Sequence, residues 1–213
     1  HWDFCQIQYN YMDTEAQAGD KGYALTEKLG IPMVVMEPVR GGSLAGYAPE
    51  INEKFKAMDP EASIASYALR WVGSHPNVKV VLSGMSNLVQ TRNNLKTFGD
   101  FKPLTVGESA GIADVVKSIR ERVQNGCTGC RYCMPCPAGV NIPGSFRAWN
   151  EYHMYGNYAV SKGAWEGGIK EDEKPKNCVE CGKCETVCPQ HIHIREDLKK
   201  VQKDLDEAAG KQA

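Results

Sequence analysis

The stretch CVECGKCETVCPQHI, residues 178–192, places four cysteines in the order Cys178-x2-Cys181-x2-Cys184-x3-Cys188, with Pro189 next. A second stretch, CTGCRYCMPCP, residues 127–137, nearly repeats it: Cys127-x2-Cys130-x2-Cys133-x2-Cys136, followed by Pro137. Three thiolates two residues apart, on one wrapped loop, can each reach a different metal atom of a compact group. The backbone amides between them turn inward and stabilise negative charge. Eight of the nine cysteines lie in these runs, and only Cys5 stands apart. Evenly scattered cysteines would suggest a secreted disulfide framework, whereas tight runs point to metal.

The second run has the bacterial ferredoxin spacing, in which three cysteines hold one [4Fe–4S] cluster and the fourth reaches a neighbouring one. We therefore expect two [4Fe–4S] clusters. Cys127, Cys130, Cys133 and Cys188 would hold one, and Cys178, Cys181, Cys184 and Cys136 the other. The first run is one residue shorter before its last cysteine, so Cys136 is the least secure ligand of the eight. Structural zinc is the competing reading, but it prefers two CxxC pairs set well apart. Cys5 falls on a strand pattern and reads as a buried inert thiol.

Upstream, strand and helix patterns alternate. Strands are expected at Phe4–Asn10, Ile31–Pro38 and Val78–Gly84, and helices around Lys21–Leu29, Glu61–Val72 and Leu88–Phe98, with Gly30 as a stop signal. The near-continuous apolar strands predict a parallel sheet buried on both faces. Three such units are too few for an eight-stranded barrel of about 250 residues. Either the domain is a small open one or an N-terminal portion is missing, and the start in mid-pattern favours the latter. The first strand would then present an open edge. A linker is expected at Gly99–Gly107, a helix at Ser109–Val123, and helix again after Pro143. An exposed loop should follow at Lys170–Asn177, then a charged helix at Arg195–Ala209 with Leu198, Val201 and Leu205 on one face. His191 and His193, alternating with Ile192 and Ile194, read as a strand-like pair flanking the second run. Tyr9 and Tyr11 read as wall rather than catalyst.

The net charge of -1 implies no general affinity for nucleic acid, and no apolar run approaches the roughly 18 residues of a membrane span. Thiolate clusters without an export signal favour a reducing cytoplasm.

Three segments, QIQYNYMD (Gln6–Asp13), VVMEPVRGGSLA (Val34–Ala45) and VVLSGMSNLVQTRNNL (Val80–Leu95), resemble the last three strands of an aldo/keto reductase barrel. The cysteine runs resemble the ferredoxin-type extension of one branch of that family. The resemblance implies a partial TIM barrel, its last three βα units at residues 1–98, followed by an α-helical ferredoxin-like domain at 107–213. It also implies NAD(P)H bound across the strand ends. Gln6 would lie near the nicotinamide. Pro38, Val39, Arg40, Gly41 and Gly42 would cover the pyrophosphate. Ser83, Gly84, Ser86, Gln90 and Asn94 would surround the adenosine end. Met36 stands where many members stack an aromatic on the nicotinamide, and Gly84 where some place a lysine for the 2′-phosphate. The family's catalytic Asp, Tyr, Lys and His come from earlier strands, so no catalytic residue is assigned.

The implied function is an NAD(P)H-linked oxidoreductase coupled to iron–sulfur electron transfer. Its partners would be an electron donor or acceptor protein, or a small carbonyl substrate. Hydride transfer moves two electrons and a cluster accepts one, so coupling them calls for a group that splits the pair, usually a flavin. No flavin motif is evident, and the flavin would come from the missing portion or a partner. The alternatives are an electron-carrier or docking subunit, and an iron–sulfur redox sensor.

Overall fold

The computed structural model describes residues 2–211, which divide into two compact units at Ser118/Ile119. The first unit is built on three short parallel strands, β1 (Cys5–Gln8), β2 (Met33–Met36) and β3 (Val78–Val81), in the order β1-β2-β3. Cys5 pairs with Met33 and Gln8 with Met36, and a register shift between Met33 and Val34 lets Val35 pair with Val81. Helix α1 (Gly19–Leu29) joins β1 to β2, and α2 (Pro49–Met58) and α3 (Ile64–Gly73) join β2 to β3. Such helical crossovers are what parallel neighbours require. Gly30 ends α1 in the left-handed region at φ 66°, as expected of a stop signal.

The helices cover one face of the sheet. Ile7, Tyr9, Met33, Val35 and Val72 form a buried cluster there, with Cys5 half-buried beside it. The opposite face is less covered: Val34 and Met36 are half-buried, and Val80 and Leu82 are exposed. Burial on both faces, expected from the apolar runs, therefore holds only for the helix side. Each edge strand also has a neighbour on one side only. Tyr9 and Tyr11 are buried. The Tyr9 hydroxyl donates to Asp20 at 2.6 Å, and Tyr11 shares a hydrogen bond with Tyr47.

Helix α2 was not anticipated. It starts on Pro49 at its first turn and buries Ile51 and Phe55, four residues apart, with Phe55 packed on Tyr47 and Tyr67. Helix α3 begins one residue after Ser63, whose hydroxyl accepts from the Ser66 N–H. Asn87 caps α4 (Leu88–Gly99) in the same way through Gln90.

The segment expected to be a linker is tied down. Arg70 donates to the carbonyls of Lys102 and Pro103 and grips Glu108 with two nitrogens at 2.6 and 2.9 Å. Helix α5 (Val106–Arg120) starts earlier than the Ser109 expected, because Thr105 and Glu108 form a reciprocal capping box.

The second unit is helical: α6 (Ile142–Tyr155), α7 (Tyr158–Lys162), a π-helical turn (Gly163–Gly167), α8 (Lys183–Thr186) and α9 (Ile194–Gly210). Phe146 and Trp149 of α6 pack with Ile194, Leu198, Val201 and Leu205 of α9. Asp204 accepts from Trp149 Nε1 at 2.8 Å and meets His153 Nε2 at 3.0 Å. The expected loop at Lys170–Asn177 instead makes two 3-10 turns with Pro175 buried, and Lys174 lies over the Trp165 ring. The residues around His191 are not strand-like: His191 has φ 51°, His193 occupies the N-cap position of α9 without a side-chain cap, and Ile194 begins the helix. No helix among the described residues is long and apolar enough to cross a membrane.

The Arg70 guanidinium holds the Glu108 carboxyl down to about 2, against an ordinary 4.5. A depressed carboxyl stabilises the fold above its unfolded pKa and loses that contribution as pH falls through the folded one. We expect Glu108→Gln to cost about 1.5–3 kcal/mol at neutral pH, the range for hydrogen bonds to charged groups. The difference from wild type should shrink between about pH 4.5 and 2. Chemical denaturation at pH 7 and pH 3 checks this.

Candidate cofactor sites

The turn after β2 crowds four left-handed residues into six positions: Glu37, Arg40, Gly41 and Gly42. Two of them are not glycine, so neighbours must hold the turn in place. Buried Asn10 does so, donating to the Glu37 carbonyl and accepting from the N–H groups of Met12 and Asp13. Asp13 in turn accepts from Gln8, Asn10 and the Nε of Arg40.

This turn, the segment after β3 and the start of α4 enclose a cavity of about 280 Å³. Of the residues proposed for the nucleotide, Pro38, Val39, Gly41, Gly42, Ser83, Gly84, Gln90 and Asn94 line it. Asn94 Nδ2 donates to Ser83 Oγ at 2.9 Å. Ser86 stands just outside, giving its backbone N–H and hydroxyl to Gln90 Oε1. Gln6 and Arg40 are not on the wall: Gln6 Nε2 lies 3.5 Å from Met36 Sδ, and Arg40 braces the turn through Asp13. Glu37, Ala45, Ala65, Leu82 and Met85 also line the cavity, and the sequence reading passed over them.

In the second unit the two cysteine runs share a backbone design. Two residues after the first cysteine of each run stands a left-handed residue, Gly129 or Glu180. Four residues after it stands another, Arg131 or Gly182. Alternation of this kind makes concave nests of N–H groups. The Gly129 N–H already points at the Cys127 sulfur. In both runs the second cysteine, Cys130 or Cys181, is exposed. The other six are half-buried and pack on the core of α6 and α9.

The thiols sort into two neighbourhoods. Burial pushes the Cys127 and Cys133 thiols up, and both also feel Cys130 and Cys188, so the last cysteine of the second run sits with the first run. Cys136, Cys178, Cys181 and Cys184 bound a narrow cavity together with Cys133. Burial, then Glu185, raises Cys184 to about 11. Such thiols are protonated at neutral pH, so binding a metal here must release protons. No three His, Cys, Asp or Glu among the described residues converge as ligands of one ion would. An all-thiolate donor set, inward amides and a hydrophobic floor all suit an iron–sulfur group.

Polar side chains hold both loops to the helices. Asn125 accepts from the Cys127 N–H, donates to Asp197 of α9, and is itself held by Asn150 of α6. Glu185 accepts the backbone N–H, Nε and Nη2 of Arg195 at the start of α9. Neither anchor was foreseen, since an Asn or Glu near a turn looks like ordinary surface.

Comparison with known proteins decides the identity of the first unit, because residues 1–117 match the model of the aldo/keto reductase family. The chain belongs to the aldo/keto reductase family. Residues 126–193 of this aldo/keto reductase match a second model, the 4Fe-4S dicluster domain, so iron–sulfur chemistry is attached to it. Among solved structures, the chain is similar to the holo form of aldo-keto reductase AKR11C1 from Bacillus halodurans. Identity is 23%, with 52% of this chain and 41% of that one covered and a TM-score of 0.40. The apo form of the same protein gives 23%, 52%, 42% and 0.41. The chain thus spans about two fifths of the length of these relatives. No curated protein matches it.

Asn10 is the keystone of the turn that walls the cavity. Asn10→Ala should destabilise this aldo/keto reductase by about 1–3 kcal/mol, the cost of orphaned buried polar groups. A melting curve reads this directly.

Proposed function

We propose that this chain belongs to an NAD(P)H-linked oxidoreductase, in which βα units resembling the last three of a (β/α)8 barrel are joined to an α-helical ferredoxin-like domain. On this reading the helical domain carries two [4Fe–4S] clusters. Cys127, Cys130, Cys133 and Cys188 hold one, and Cys136, Cys178, Cys181 and Cys184 the other. The observation that carries the proposal is the exchange of fourth cysteines: Cys188 lies among the thiols of the first run, and Cys136 lines the cavity of the second. Cys133 borders both groups, which suits two clusters close enough to pass electrons.

Bound clusters would supply one-electron transfer, and a nicotinamide would supply hydride. The chain's own residues do the rest. Gly41 and Gly42 let backbone approach the pyrophosphate, and Ser83, Gln90 and Asn94 orient the adenosine end. A flavin, from elsewhere in the protein or from a partner, would reconcile two-electron with one-electron chemistry. The substrate class would be small carbonyl compounds, the electron partner a redox protein, and the setting a reducing cytoplasm.

Anaerobic purification followed by iron and sulfide analysis tests the cluster reading. The expected result is about eight irons per chain and magnetically coupled EPR signals on reduction. Zinc, or no metal after anaerobic handling, would overturn it. Cys136→Ala should disturb the iron content and one of the two spectra, whereas eight irons with both spectra unchanged would remove Cys136 from the ligand set.

The nucleotide reading is tested separately. Asn94→Ala in the full-length protein should weaken NAD(P)H binding roughly 5- to 30-fold, about 1–2 kcal/mol for a lost polar contact. Fluorescence titration measures it, and unchanged affinity would move the nucleotide elsewhere.

A further inference from the structure

A third cavity, of about 620 Å³, lies against the first cysteine run. Its walls come from three places. The run itself contributes Cys127 and Arg131, the first half of α6 contributes Gly144 and Arg147, and the π-helical segment contributes Ala164 and, just beyond it, Gly168. π-Helical turns are rare and occur mostly where a function needs them. The volume falls in the range of small-molecule sites.

Arg131 sets this cavity apart. It holds φ 66° at the position where the second run has Gly182. A non-glycine residue is strained there. The other strained residue of the two loops, Glu180, uses its side chain in an ion pair with Lys199 at 2.8 Å. Arg131 is exposed and lines the cavity. Arg147 joins it there, exposed over 74% of its side chain and with only Nε engaged, by Glu151. Guanidiniums on two walls of one cavity, with the Glu151 carboxylate offsetting only part of their charge, recognise planar or tetrahedral oxyanions in a way that lysines do not.

We propose that this cavity binds a small organic anion, through a carboxylate or phosphate group, beside the first cluster. The proposal rests on the cluster reading above and adds a ligand site to it. Reduction adds a negative charge to a cluster held by Cys127, which itself lines the cavity. An anion there must therefore bind more tightly to the oxidised protein, and by linkage it must lower the midpoint potential. Each tenfold difference in affinity corresponds to 59 mV for a one-electron couple.

The test uses the anaerobically purified, cluster-loaded protein, with inorganic phosphate and succinate as probes. Calorimetry should find saturable binding of at least one probe, weakened tenfold or more by Arg131→Gly and by Arg147→Gln. Glycine relieves the strained backbone, so Arg131→Gly should fold at least as well as wild type, and lost binding cannot be ascribed to misfolding. A saturating probe should lower the midpoint of one cluster in wild type and not in Arg131→Gly. Binding that Arg131→Gly leaves intact, or no saturable binding of either probe, overturns the site. Binding without a shift in potential overturns its coupling to the cluster. Iron and sulfide counts on the same sample separate these outcomes from a failure of the cluster reading, which would appear as missing iron.

Discussion

The second unit depends on six half-buried cysteines resting on the core where α6 meets α9. A loop that winds through left-handed positions cannot bury apolar surface of its own. It takes its shape from what it packs on, and here that is a floor of Phe146, Trp149, Leu198 and Val201. Burial raises the thiol pKa of Cys127, Cys133 and Cys184 and favours neutral sulfur there, while metal binding favours the thiolate. The helices and any metal would thus be coupled, because the core presents the cysteines that ligation would use.

The near-repeat of the two runs extends from sequence into backbone. Left-handed residues recur two and four positions after each first cysteine, yet glycine occupies only one of the two places in each run, Gly129 in one and Gly182 in the other. The remaining places carry Arg131 and Glu180, opposite in charge. The local conformation is the same in both loops, so it cannot explain which residue sits where. The surroundings do: Glu180 faces Lys199 of α9, and Arg131 faces an open cavity beside α6. Two similar loops therefore present different surfaces.

Much of this was legible in the sequence, for definite reasons. Cysteine spacing is a short-range code, so the two runs could be read directly. The βα alternation was legible because Met33 and Val35 carry a strong apolar signal and Gly30 a clear stop. Helix α2 was missed because Ile51 and Phe55 are its only buried residues among charged neighbours. The start of α5 was missed because Thr105 and Glu108 cap it within what looked like a linker. For the cavity beside β2 and β3, the lining glycines, serines and amides could be placed from motif order, but the brace behind them could not. Asn10 and Arg40 act across 27 residues of chain, through the Glu37 carbonyl and the Asp13 carboxylate, and no local pattern encodes such a contact.

The two units impose different chemistry, and that difference bears on how they could work together. The cavity of the first unit is walled by glycine-rich turns, apolar side chains, neutral polar side chains and Glu37, and on the proposed reading it would hold the nucleotide. The second unit gathers sulfur over an apolar floor and leaves only Cys130 and Cys181 open to solvent, one from each run. On the proposed reading each cluster would meet solvent at an equivalent cysteine, and Cys133 would lie between them. Electrons could then enter at one exposed cysteine and leave at the other without crossing the apolar core. Such a relay works one electron at a time, whereas a nicotinamide releases two together. On the proposed reading, a group that takes up hydride and passes on single electrons would join the two chemistries.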